Sequence, residues 1–153
     1  MIAKNLLSTA RLLAVASPRK PKQADLRRAI STAYYALFHA LAADAANLLV
    51  GQVGRVSKLA WAQTYRALDH GVMKSACAHV QPSRFPATIC AAAGAFLILQ
   101  QLRHDADYDP MLRFTRAEAL EAITMSEKAI LGVMSCETMD RRALAVLLLL
   151  KRR

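Results

Sequence analysis

A chain of 153 residues is one domain by length and long enough to bury a hydrophobic core. Glycine and proline are scarce at 5 each, alanine and leucine are plentiful, and runs of Val, Ile and Thr are missing, which argues against a sheet protein and for an all-α one. The net charge of +10, with a pI near 10.1, describes a surface that attracts polyanions such as RNA, DNA or an acidic protein, unless the charge serves solubility alone.

The three cysteines, Cys77, Cys90 and Cys136, are far apart, with no CxxC pair and only His79 near one of them. That spacing argues against a zinc site, and a sparse, odd set fits reduced thiols in a cytoplasm. No cofactor or metal is assigned. The N-terminus, Met1 to Lys20, has a faint leader-like composition, but Asn5, Ser8 and Thr9 interrupt its apolar stretch, and Ile2, Leu6, Leu13 and Val15 form a stripe at helical spacing. It reads as the first helix of the domain. No apolar run approaches the roughly 20 residues of a membrane span; the longest is Ala143 to Leu150.

In chain order, a first helix is predicted from Ile2 to Ala16, stopped by Ser17-Pro18 and followed by the basic loop Arg19-Lys20-Pro21-Lys22. A second runs from Ala24 to Val50 and ends at Gly51. Leu26, Ile30, Ala33, Leu37, Leu41 and Leu48 form its buried stripe, Asp25 suits its positive end, and it is about 40 Å long. A third is expected over Val53 to Leu68. Asp69-His70-Gly71 breaks it, and a short helix continues to Val80. The segment Gln81 to Pro86 reads as a connection, with a lid or RNA contact as the functional alternative. A fourth main helix spans Ala87 to Tyr108, with the small-residue surface Ala91 to Ala95, and ends at Asp109-Pro110. Thr115-Arg116-Ala117-Glu118 matches a capping box and opens a fifth, with Leu120, Ile123, Ile130, Leu131 and Met134 on its apolar side. This gives an up-and-down bundle of four to five main helices over residues 1–139. Residues 140–153 form a tail or extra helix whose apolar run 143–150 must be buried, on the core or on a second subunit.

Two helix faces carry candidate chemistry. On the second helix Arg28, Tyr35 and His39 are seven and four residues apart and share one stripe, with Ser31 and Thr32 beside it. They either sit at a core boundary with their polar tips in water or line a groove toward the fourth helix. On the fourth, Gln100, Arg103 and Asp107 form one stripe and Gln101, His104 and Tyr108 the next. Asp105, Asp107 and Asp109 crowd a helix C-terminus, where negative charge is unfavourable. Local conflict of that kind concentrates at functional sites.

The stretch Tyr34-Tyr35-Ala36-Leu37-Phe38-His39, followed about 70 residues later by Arg103-His104-Asp105-Ala106-Asp107-Tyr108, resembles the two signature helices of prokaryotic HEPN domains. The resemblance covers roughly Met1 to Met134, and the two motifs are its specific part. It implies a helical bundle, often a homodimer. In nuclease members it also implies a metal-independent RNA-cleaving site at the dimer interface, where the ribose 2′-hydroxyl attacks the adjacent phosphate. An arginine stabilises phosphate charge there, and a histidine four to six residues downstream moves the proton. Arg103 and His104 match the arginine and the polar residue after it. The downstream histidine is absent, because positions 107 to 109 are Asp, Tyr and Asp. Aspartate is a weak base at neutral pH and repels phosphate, leaving His104 or His39 as substitutes.

Three readings follow. The first is a HEPN-type module without full nuclease chemistry that binds RNA or a partner protein, such as a nucleotidyltransferase, in a toxin–antitoxin or defence pair. The second is an endoribonuclease using Arg103 with His104 or His39. The third is a structural dimerisation domain. If the second and fourth main helices face each other, Arg103 falls within hydrogen-bonding reach of Tyr35, His39 or a second subunit.

Overall fold

The computed structural model describes residues 2–150. These form seven helices and no strands: α1 (Ile2–Val15), α2 (Gln23–Leu49), α3 (Lys58–Arg66), α4 (His70–Ala78), α5 (Ala87–Tyr108), α6 (Arg116–Met134) and α7 (Thr138–Leu149). The all-α class is the one the composition predicts.

Helices α1, α2, α5 and α6 make an up-and-down bundle, with α2 packed against each of the other three. Long-range hydrogen bonds fix the directions. Ser31 and Tyr35 of α2 meet Asp107 and Arg103 of α5, so these two helices are antiparallel. Gln23 bonds the backbone of Phe114, and the fully buried Ser126 hydroxyl donates to the Ala33 carbonyl, so α6 runs parallel to α2 and meets it across the short diagonal. Arg116 donates to the carbonyls of Ser17 and Pro18, pinning the start of α6 to the α1–α2 loop. Thr115 and Glu118 form the predicted capping box.

The stripe expected on α2 is buried, with Leu26, Ile30, Ala33, Leu37 and Leu41 in the core and Leu48 packed against it, but the inner faces of α1 and α6 differ from those expected. On α1 the buried residues are Leu7, Ala10 and Ala14, whereas Ile2 and Val15 are exposed. On α6 they are Ala119, Ala122, Ile123, Ser126, Ala129 and Val133, while Leu120, Leu131 and Met134 face outward. Helix α2 is buried on most sides rather than along one stripe, with Ala29, Ala33, Ala36, Ala42 and Ala46 inaccessible. Small side chains let helix backbones approach, so the bundle closes on alanines and places larger residues in the gaps. Leu12 and Val15 of α1 and Leu120 of α6 line an open groove of about 500 Å³ with Lys4, Arg11 and Glu127.

The third predicted helix begins at Lys58, not Val53. Gly51 and Gly54 hold φ of 117° and 90°, which ends helical geometry, and Ser57 caps the restart. Asp69 caps α4 by accepting from the backbone N–H groups of Gly71 and Val72. Helices α3, α4 and α7 form an outer layer, α3 on α2, α4 on α5, and α7 on both α2 and α4. The apolar run in α7 is buried on one side only. Leu144, Ala145 and Leu148 enter the core, but Val146 and Leu150 are exposed. The helix starts at Thr138, two residues before the expected tail, and within it Arg141 supplies the polar anchor that the apolar run lacks.

Candidate functional site

The antiparallel seam between α2 and α5 gathers most of the chemically versatile side chains. Asp107 and Arg103 are one turn apart on α5, and Ser31 and Tyr35 one turn apart on α2, so the two pairs fall opposite each other. Arg103 Nη2 donates to Tyr35 Oη at 3.0 Å. Asp107 Oδ2 lies 2.9 Å from Arg103 Nε as an ion pair, although that N–H has no aligned acceptor. The other oxygen of Asp107 accepts from the Ser31 hydroxyl. The guanidinium is also ringed by Tyr34, Tyr35 and Tyr108, at 5.9, 5.6 and 5.7 Å from their centroids. Partial burial works against its charge, but Tyr35 and Asp107 outweigh this and raise its pKa.

A second row of rings continues from Tyr35. His39 stacks on Tyr35 and on Tyr65 of α3, and its Nδ1 is 2.5 Å from Tyr65 Oη; Trp61 stacks on Tyr65 in turn and donates to Asn47. His70 of α4 stacks on Phe38 at 4.1 Å, and its Nδ1 is 2.6 Å from the Oη of the fully buried Tyr34. Gln100 donates to the His70 carbonyl at 3.0 Å, tying α4 to α5. Burial lowers the pKa of both His39 and His70, with their mutual repulsion adding for His39 and the Arg103 charge adding for His70. Burial raises Tyr34 and Tyr65. The tyrosines are therefore hydrogen-bonding groups rather than bases at neutral pH.

Beside Arg103, a recess of about 220 Å³ is lined by Lys74, Gln100, Gln101, Arg103 and His104. His104 is exposed and lies 5.1 Å from the Tyr108 ring, centroid to centroid. The seam and recess thus bring together Tyr35, Gln100, Arg103, His104, Asp107 and Tyr108, with His39 reached through the Tyr35 ring. Arg28 does not join them. It lies about one turn before Ser31, past the point where α5 ends at Tyr108 opposite it, and it is exposed. Its neighbour Arg27 is the arginine engaged there, donating to the carbonyls of Ala106 and Leu112.

Sequence spacing did not single out Ser31 as a partner of Asp107, or His70 and Lys74 as neighbours of the seam. Asp69-His70-Gly71 read only as a break, although an aspartate before an apolar run is itself a capping signal. No three His, Cys, Asp or Glu side chains cluster as a metal site requires among the described residues, and no helix there is long and apolar enough to cross a membrane. Chemically, the arrangement offers a preorganised guanidinium, a lysine and an exposed imidazole around a small polar concavity. Such a set can hold an anion, and its most accessible proton carrier is His104. Comparison with known protein families, with curated proteins and with solved structures finds no match.

Proposed function

We propose that this chain is a HEPN-type helical module that binds RNA at the face built around Arg103 and that lacks full phosphodiester-cleaving chemistry. The observation that carries the reading is the state of Arg103. It is fixed from one side by Tyr35 and Asp107 and borders a recess whose other lining residues include Lys74 and His104 but no carboxylate. A guanidinium held in place before the ligand arrives loses little entropy on binding phosphate. The net charge of +10 adds long-range attraction. The order and spacing of the two motifs support the HEPN assignment, and with it a cytoplasmic homodimer and a nucleotidyltransferase-type partner in a toxin–antitoxin or defence pair.

The weak-cleavage part rests on what replaces the downstream histidine. Asp107 is committed to Arg103 and Ser31, and Tyr108 packs beside the guanidinium, so neither is placed as a base. One observation favours the second reading, a metal-independent endoribonuclease. His104 shares the recess with Arg103 and is exposed, as a proton carrier needs to be.

Titration of labelled single-stranded RNA with the wild type and Arg103→Ala, at low and high salt, tests the reading. Saturable, salt-weakened binding that drops roughly tenfold in the variant is expected. Unchanged binding in the variant would sink it. Incubating both proteins with the same RNA separates the enzyme alternative, which requires cleavage by the wild type that Arg103→Ala and His104→Ala lose.

A further inference from the structure

Lys74 has no place in either sequence motif, yet the fold puts it at the polar recess. Helix α4 starts on the Asp69 cap and buries Met73, Ala76 and Cys77. Gln100 clasps the carbonyl of His70, in the first turn of α4, to α5. Lys74, one turn further on, is thereby set against Gln100, Gln101, Arg103 and His104. It is exposed and forms no ion pair among the described residues. Three carboxylates lie nearby but do not line the recess. Asp107 faces Arg103 and Ser31, and Asp105 accepts from Gln101 and lies 3.9 Å from His104. Asp69 is turned to the start of α4. The lining thus carries two permanent positive charges and an imidazole against no carboxylate, in a concavity with room for one phosphate group.

We infer that Lys74 and Arg103 together seat one backbone phosphate of single-stranded RNA in this recess, with His104 and the amides of Gln100 and Gln101 around it. This rests on the RNA-binding reading and adds a phosphate-positioning residue from outside the motif helices. Arg103 fixes the geometry through its planar fork, and Lys74 supplies a mobile point charge from the opposite wall. A phosphate held this way contributes affinity and register without reading sequence.

The salt dependence of RNA binding tests it. In wild type, Lys74→Gln, Lys74→Arg and the charge-matched control Lys128→Gln on α6, the slope of log affinity against log salt should fall by about 0.7 for Lys74→Gln alone. Lys74→Arg should retain the wild-type slope. Lys74 is exposed, so thermal melts of the variants should match the wild type. A Lys74→Gln slope equal to that of wild type and Lys128→Gln overturns the inference, while an affinity loss in Arg103→Ala would leave the RNA-binding reading standing. In parallel, inorganic phosphate is titrated while the Lys74 and His104 side-chain NMR signals are followed. Saturable shifts of both are expected, and loss of the His104 shift in Lys74→Gln supports the site. Shifts with phosphate but no RNA binding would make the recess a free-phosphate site and overturn the RNA occupant. No response to either ligand overturns both readings.

Discussion

Two arginine–aspartate pairs flank α2, and they are built for different ends. Arg141 of α7 approaches Asp44 with Nε at 3.2 Å from one carboxylate oxygen and Nη2 on the other, across 97 residues of sequence. The Asp44 side chain is 8% exposed, and the pair is a closed, two-pronged clasp that holds α7 to the bundle. Arg103 and Asp107 are one turn apart on the same helix, meet through a single ion-pair contact, and leave much of the guanidinium fork for Tyr35 and the recess. Both arginines are about equally covered, at 21% and 20% side-chain exposure. Burial therefore does not tell them apart. What distinguishes them is whether the carboxylate uses up the donors.

The largest expected effect separates the pairs by stability. Asp44→Ala leaves a partly buried guanidinium unpaired and should cost about 2–4 kcal/mol in urea unfolding. Arg103→Ala should cost about 1 kcal/mol, because its pair is local and half of its anchoring is one hydrogen bond. Comparable losses in the two variants would erase the distinction between clasp and site. Tyr35→Phe sharpens it from the binding side. Removing one hydroxyl while keeping the ring loosens Arg103, and RNA affinity should fall by about 1 kcal/mol, roughly fivefold, with little change in unfolding. A stability loss without an affinity loss would make the seam structural.

The smallest effect is in pH. His39 and His70 are held below the ordinary imidazole pKa in the folded chain, so the unfolded chain takes up protons first as pH falls. Their contribution is intact above the unfolded value near 6.5 and is lost as pH drops through the lower folded values. Unfolding midpoints measured from pH 7.5 to 5 should decline, and His39→Gln with His70→Gln should flatten that decline. A decline of equal steepness in the double variant would assign it to other groups.

Much of the fold was legible from residues with strong local rules. Thr115 and Glu118 announced their capping box, Asp109-Pro110 ended α5, and Ala87 to Tyr108 was read to the residue. The buried stripe of α2 was legible too, with Leu26, Ile30, Leu37 and Leu41 all in the core, but the inner faces of α1 and α6 were not, because alanine is nearly neutral in a hydrophobic pattern while leucine dominates it; the pattern alone could not show that α6 turns Ala122 inward and Leu131 out. The start of α3 was misplaced because glycine inside an apolar run does not reveal the sign of its φ. For the site, spacing correctly aligned Tyr35 with His39 and Arg103 with Asp107, since helical periodicity governs neighbours on one helix. It failed for Arg28, whose exclusion depends on where a different helix ends, and for Lys74, which enters through a helix seen only as a continuation after a break. Both errors concern the relation between elements, which no single-helix pattern contains.

The alanine lining also determines how the chain tolerates change. With Ala33, Ala36, Ala42 and Ala119 fully buried, helix separation is set by methyl groups. Enlarging these positions pushes helices apart instead of leaving a void. Mutational intolerance should thus extend to the smallest residues as well as the largest, so that sequence drift in such a protein is constrained even where the side chains have least to lose.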